Sequence, residues 1–303
     1  METKNMTIKA WANVWLQNYK LDYVKTSTYT ESYERTIKNY ILPHLGDYII
    51  GEISPLHVRS YMSKMAQCYS DSTLNKILIC LNGVFNSAVE NDVIAKTPAA
   101  NITKPRSAHR PKEKKTYSQD EVNQIIEYSY NHEYGLYIHI LLELGLRCSE
   151  LCGLKWSDIN FQTKTVNIFR ACTASKCKAE LGDTKNRSSF RSLPLTSNLT
   201  DRLLKASKTT RNTYIVSSKR QKNTPITPSS FTKLYYNPFF EDYGSNKRLS
   251  PHELRHTCGT LLYEKTKDIY AVSKFLGHSS INITAKYYVH ADPDVLRSAL
   301  NIT

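Results

Sequence analysis

No apolar run in the chain approaches the roughly 18 residues needed to cross a bilayer, and no charged-then-apolar stretch opens it. Membrane insertion and secretion are not expected, and the chain is expected to be cytoplasmic. The glycine-rich loop ending in Lys-Ser/Thr that cradles nucleotide phosphates is also missing, as is any clear carboxylate cluster for a pair of metal ions. No cofactor and no metal is expected. Cysteine is present but unpatterned: Cys68, Cys80, Cys148, Cys152, Cys172, Cys177 and Cys258 make seven, an odd number. Such usage fits reduced thiols better than a disulfide framework. Cys148 with Cys152 and Cys172 with Cys177 suggest a four-thiolate zinc site, but the tight Cys-x2-Cys knuckle is lacking. No internal repeat or low-complexity tract stands out.

Acidic residues are the scarce charge. Asp and Glu number 27 against 41 Lys and Arg, a formal net charge of +14. That surplus attracts polyanions through long-range fields and makes nucleic acid the leading partner. Hydrophobic residues at 40 % and charged residues at 22 % suit a folded chain rather than a disordered one. At 303 residues, two domains fit better than one on a prior of ~150 residues each.

In the first hundred residues the apolar spacing is helical throughout. Ile8, Trp11, Val14, Trp15 and Leu16 recur every three or four positions between Thr7 and Leu21. Ser27-Thr28 opens a second stretch with Tyr29, Tyr33 and Ile37, closed by Pro43 and Gly46. Ser54-Pro55 reads as a cap and first-turn proline before Val58, Tyr61, Met62 and Met65. A long helix from Ser72 carries Leu74, Ile77, Leu78, Leu81, Val84, Phe85 and Ala88. The expectation is a four-helix domain over 1–103. Residues 104–115, KPRSAHRPKEKK, then hold six bases, one Glu and two prolines, which marks a basic linker, either a solvated tether or a strap along a phosphate backbone.

A second domain is expected over 116–303. Ser118 to Glu121 reads as a capped helix start, and Leu136 to Leu144 as a buried helix. Thr165 to Phe169 alternates like a strand that Arg191 to Leu195 can pair with, after which helices resume from Ser250. The fold class is therefore mainly α with a small β-sheet (α+β).

Several residues carry chemistry. Ser250-Pro251-His252-Glu253 has the pattern of a capping box, so His252 sits at a helix N-terminus, where backbone N–H groups favour anions. Arg255, three residues on, shares that face. Arg147 follows a helix break in apolar surroundings, where burial demands a partner, either an internal Glu150 or a ligand. Further on stand Leu276-Gly277-His278, Tyr287, Tyr288 and His290.

Taken together, LGLRCSELCGLKW, TKNRSSFRSLPL, HELRHTCGTLL and LGHSSINITAKYYVH resemble, in order and spacing, the four catalytic boxes of the tyrosine recombinase (phage integrase) family. The stretch PHLGDYIIGEISPLHV resembles that family's helical core-binding domain, so the likeness runs from about Thr7 to about Ser298. The resemblance implies a site-specific recombinase that cuts double-stranded DNA through a covalent 3′-phosphotyrosyl link, for integration or excision of a mobile element or phage. It makes Arg147 and Arg255 the grip on the scissile phosphate, with His252 and His278 hydrogen-bonding or exchanging protons there. Lys185, on an expected β-hairpin, protonates the departing 5′ oxygen, the alternative for that residue being a solvated turn lysine. The nucleophile is Tyr288, ten residues after His278 and two before His290, with Tyr287 as its rival. Family behaviour further implies a tetramer on two DNA sites, with Asp294 to Leu300 as a docking helix. Only a few residues precede Thr7, so the arm-site domain of many phage integrases is not expected. Two other readings are a non-catalytic DNA-binding regulator on the same scaffold and a topoisomerase of related mechanism.

Overall fold

The structure, a computed structural model, describes residues 5–109, 115–175, 178–183, 190–218 and 223–288. The chain divides into two compact units, Met1–Glu113 and Lys114–Thr303.

In the first unit, α1 (Ile8–Tyr19) starts where the Thr7 hydroxyl accepts the Ala10 N–H, and buries Ile8, Trp11, Ala12, Trp15 and Leu16. Next come α2 (Thr26–Thr28), two π-helical segments (Tyr29–Glu34 and Ile37–Ile41) and α3 (Leu42–Leu45). Pro43 was expected to help close this stretch, yet it lies inside α3. The reason is that Leu42 N–H reaches back to Ile37 O in a wide turn, which leaves Pro43 at the start of a fresh turn that needs no donor from it. The helix α4 (Pro55–Cys68) begins with a reciprocal cap between Ser54 and His57, and α5 (Asp71–Glu90) with the Ser70 hydroxyl. Trp11 Nε1 donates to Val84 O and Ser87 Oγ, both at 3.0 Å, so the indole that packs α1 on α5 leaves no polar atom stranded. The only strand-like feature among the described residues of this unit is a bridge between Thr7 and Ile49.

The start of the basic stretch is fastened to this unit. Lys104 Nζ lies 2.6 Å from Asp71 Oδ1, Ser107 Oγ donates to Tyr69 O at 2.6 Å, and Ala108 N–H donates to Ala66 O at 2.8 Å.

In the second unit, α6 (Gln119–Ser129) opens with the expected Ser118–Glu121 capping box. The helix α7 (Gly135–Leu144) is apolar nearly all round and enclosed, and α8 (Cys148–Gly153) follows it after a short break. Strands β1 (Ile159–Asn160) and β2 (Thr165–Ile168) lead to β3 (Arg170–Ser175), β4 (Lys178–Asp183) and β5 (Arg191–Pro194). The expected pairing is present: β5 lies antiparallel to β2 with Val166 opposite Leu193 and Ile168 opposite Arg191, in a sheet of order β1-β2-β5. A β-hairpin was expected at Lys185, which lies outside the described residues; the hairpin β3–β4 ends just before it, and its strands were not read because RACTAS and KAELGD lack clear apolar alternation. Strand period puts Arg191 on the same face as buried Leu193, so a guanidinium is carried into the core.

The remaining elements are α9 (Ser197–Thr209), α10 (Pro228–Phe231), α11 (Asn237–Tyr243), α12 (Pro251–Thr266), α13 (Ile269–Leu276) and α14 (Ile281–Tyr288). The chain is thus mainly helical with a small antiparallel sheet. Among the described residues no helix is long and apolar enough to cross a membrane.

Candidate active site: one carboxylate among three arginines

Two left-handed glycines deliver the site. Helix α7 ends on Gly145 (φ +56), and α13 ends on Gly277 (φ +67). A Cβ on Gly145 would come 2.8 Å from Leu276 Cδ2 and 3.0 Å from Cys258 Sγ, so the end of α7 must stay bare to pack on α12 and α13. Past Gly145 the chain turns and presents Arg147 at the head of α8.

One turn into α8, Glu150 is 1 % exposed. Its oxygens accept the Arg147 backbone N–H at 2.9 Å and Arg147 Nη1 at 2.8 Å. They also accept Arg191 Nη1 at 3.1 Å and Nη2 at 2.9 Å, a two-pronged pairing of the strong kind. Arg255 Nη1 stands 3.7 Å from the same carboxylate. Burial raises the Glu150 pKa, but hydrogen bonds and charge from Arg191, then the charges of Arg255 and Arg147, more than reverse this and hold it below the usual range.

The guanidiniums also neutralise helix ends. Arg255 Nη1 donates to Gly145 O at 2.8 Å and its Nη2 to Leu276 O, while Arg147 Nη2 donates to Gly277 O at 3.2 Å. Carbonyls at helix C-termini carry partial negative charge, which cations offset. Arg255 is only 2 % exposed, Arg191 6 % and Arg147 36 %, so Arg147 is the member of the group that meets solvent most.

His278 follows Gly277 directly, with its N–H on Ser273 O at 3.0 Å and its Nδ1 2.8 Å from Thr284 Oγ1 on α14. Burial, then Arg255, Arg147, His256 and Arg191, push its pKa down to about 4, so the ring is neutral at pH 7. His252 stands exposed at the start of α12, and its ring meets that of buried His256 edge-on at 4.6 Å between centroids.

Of the residues singled out from sequence, the structure brings together Arg147, Arg255 and His278, and sets His252 at the head of the helix bearing Arg255. Lys185 and His290 lie outside the described residues. Tyr287 and Tyr288 are described in backbone only, at the end of α14. Glu150 was weighed only as a partner for Arg147, and it holds Arg191 as well. Arg191, His256 and Thr284 were missed. A signal existed for Arg191, since an arginine two residues before Leu193 in an alternating strand falls on the apolar face. None existed for Thr284, whose contact with His278 depends on how α14 packs.

Residues 115–294 match the phage integrase family, and residues 7–66 match the phage integrase N-terminal SAM-like domain. The chain belongs to the phage integrase family. Its activity is that of a tyrosine-type site-specific recombinase, which breaks and rejoins DNA strands. A "tyrosine recombinase XerC-like" protein of Caldanaerobacter subterraneus is 28 % identical, over 97 % of this chain and 81 % of that protein. The fold is similar to the Tn1549 transposon integrase in complex with a circular-intermediate DNA, with a TM-score of 0.78 at 20 % identity, covering 98 % of this chain and 100 % of that one. A lambda integrase tetramer bound to a Holliday junction gives 0.70 at 18 % identity, covering 94 % of this chain and 78 % of that one.

Proposed function

We propose that Arg147, Arg255 and His278 hold the scissile phosphate of double-stranded DNA while Tyr288 attacks it, in an integrase that moves a mobile element into or out of a chromosome. The observation that carries this is the charge at the site: among the described residues, the guanidiniums of Arg147, Arg191 and Arg255 face the carboxylate of Glu150, which leaves a surplus of fixed positive charge in a largely water-excluded place. Such preorganised charge favours a phosphorane-like transition state far more than bulk water does.

In the reaction the Tyr288 oxygen bonds to phosphorus and the bond to the 5′ oxygen breaks. The phenol proton leaves toward His252, and Lys185 supplies a proton to the departing 5′ oxygen, which leaves as a hydroxyl. With the Thr284 hydroxyl donating to Nδ1 of neutral His278, Nε2 carries the hydrogen and donates it to a nonbridging oxygen. The phosphotyrosyl link conserves the energy of the broken bond, so a second 5′ hydroxyl reverses the step without ATP.

Arg147→Ala tests the assignment. Covalent protein–DNA adduct on a nicked duplex is expected to form about 10²–10³-fold more slowly, the cost of one transition-state donor, while the intact duplex is still bound. An unchanged rate overturns the reading.

Residues 1–103 serve in this proposal as the core-binding domain and residues 116–303 as the catalytic domain, joined by the basic stretch 104–115. Four copies assemble on two DNA sites, as in the lambda integrase tetramer bound to a Holliday junction. The segment Asp294 to Leu300, outside the described residues, docks each copy on the next. Truncation after Pro293 is expected to weaken assembly on DNA in gel-shift titrations and to leave the melting of the free protein unchanged. Unaltered assembly removes the docking role.

A further inference from the structure

Arg191 has so far entered only as a partner of Glu150 and as one charge in the count, yet it sits at the centre of the site. The β2–β5 register turns it inward, and there it spans three elements. Its two Nη atoms take Glu150 on α8, and its Nε donates to Phe275 O at 2.7 Å, near the end of α13. It also lies across Gly277, where an added Cβ would be 2.9 Å from Nη1. Its Nη1, Nη2 and Nε are thus all engaged within the protein, by Glu150 and by Phe275 O.

We propose that Arg191 is a positioning residue for strand cleavage: by occupying both oxygens of Glu150 it spares the charge of Arg147 and Arg255 for the phosphate, and by gripping Phe275 O it fixes the Gly277-His278 turn beside them. The inference rests on the phosphate-holding reading of Arg147, Arg255 and His278. A buried carboxylate must be neutralised by something. Without Arg191 the nearest cations are Arg147 Nη1, 2.8 Å from Oε1, and Arg255 Nη1, 3.7 Å from Oε2. Arg147 already holds Oε1, so Glu150 would bear more heavily on that contact and draw Arg255 inward from 3.7 Å, and the site would hold two guanidiniums against one carboxylate instead of three. The bidentate contact fits Arg and not Lys, which offers a point charge and no fork.

The test uses the full chain on a nicked duplex and compares wild type with Arg191→Gln, Arg191→Lys and the double variant Glu150→Gln/Arg191→Gln. Arg147→Ala serves as the control for the site itself. At saturating DNA, Arg191→Gln is expected to slow adduct formation about 10–100-fold, the usual effect of a supporting residue, with affinity for intact duplex retained. Arg191→Lys is expected to recover part of the rate. The double variant is expected to cleave faster than Arg191→Gln alone, because no buried carboxylate remains to compete for Arg147 and Arg255.

A pH profile adds a second readout. Burial, and then the charges of Arg255, Arg147, His256 and Arg191, depress the His278 pKa. Loss of Arg191 is therefore expected to move the acid limb of cleavage to higher pH. A double variant no faster than the single one reduces Arg191 to packing and overturns the proposal, as does wild-type cleavage by Arg191→Gln. If Arg147→Ala also cleaves normally, the phosphate-holding reading itself has failed. If only Arg147→Ala is dead, the failure belongs to Arg191 alone.

Discussion

Tyr288→Phe is expected to abolish the denaturant-resistant protein–DNA adduct, and Tyr287→Phe to retain it. Removing a covalent nucleophile costs on the order of 10⁴–10⁶-fold, so the single-turnover signal should fall below detection while gel-shift affinity for duplex persists. The choice between the neighbours draws on the helix. Thr284, on α14, touches His278, which marks the face of α14 turned to the arginines. At ~100° per residue, position 288 falls roughly 40° from Thr284 and position 287 roughly 60° to the other side. Spacing from His278 admits either tyrosine, and the two-residue spacing to His290 selects the same position. An adduct surviving in Tyr288→Phe and lost in Tyr287→Phe would transfer the role to the neighbour and leave the rest of the site standing.

Glu150→Ala is expected to be the most damaging single change to stability in the second unit. It leaves Arg191 and Arg255, both nearly enclosed, and the partly exposed Arg147 without their common carboxylate. Breaking a buried pair from one side typically costs about 3–5 kcal/mol, because uncompensated charge remains behind. For a unit of this size that corresponds to a melting temperature lower by roughly 6–20 °C. Calorimetry at pH 7 checks it, and a shift under ~2 °C would show that solvent reaches these guanidiniums freely.

The pH dependence has a defined sign. The Glu150 pKa is depressed on folding, so its stabilisation is present above the usual carboxylate range and is lost as pH falls through its folded value. The His278 pKa is depressed too, from 6.5 to about 4, so the unfolded chain takes up that proton first and stability drops across this interval as pH falls. Wild type is expected to lose stability on acidification through both groups, and Glu150→Ala only through His278. His278 acts across the interval from 6.5 to about 4 and Glu150 below the usual carboxylate range, so melting curves carried from pH 7 to well below pH 4 separate the two.

Much of the architecture could be read from residue order. Helix starts at Ser54, Ser118 and Ser250 follow from hydroxyls and prolines acting on the next four backbone N–H groups, which is local chemistry. The β2–β5 pairing follows from alternation in two short segments. The π-helical widening that lets α3 run through Pro43 was hidden, because it reflects packing of the whole stretch against α1 and α5. The bounds of the β3–β4 strands were hidden as well, since they carry little apolar alternation of their own, although the family resemblance implied a hairpin near Lys185.

The site divides in the same way. Residue order, through its resemblance to the family's boxes, pointed to Arg147, Lys185, His252, Arg255, His278 and Tyr288, and of these the structure brings together Arg147, Arg255 and His278. The sequence also supplied the excess of positive charge that draws the chain to nucleic acid. Only the tertiary structure decided how those cations are held. Glu150 becomes a shared counter-ion because α8, α12 and β5 converge on it from positions 41 and 105 residues away in sequence. Thr284 reaches His278 only because α14 folds back beside α13. A lone guanidinium is costly to bury and a sequence cannot show its partner; what makes the burial affordable is distance in space, and that is settled by packing.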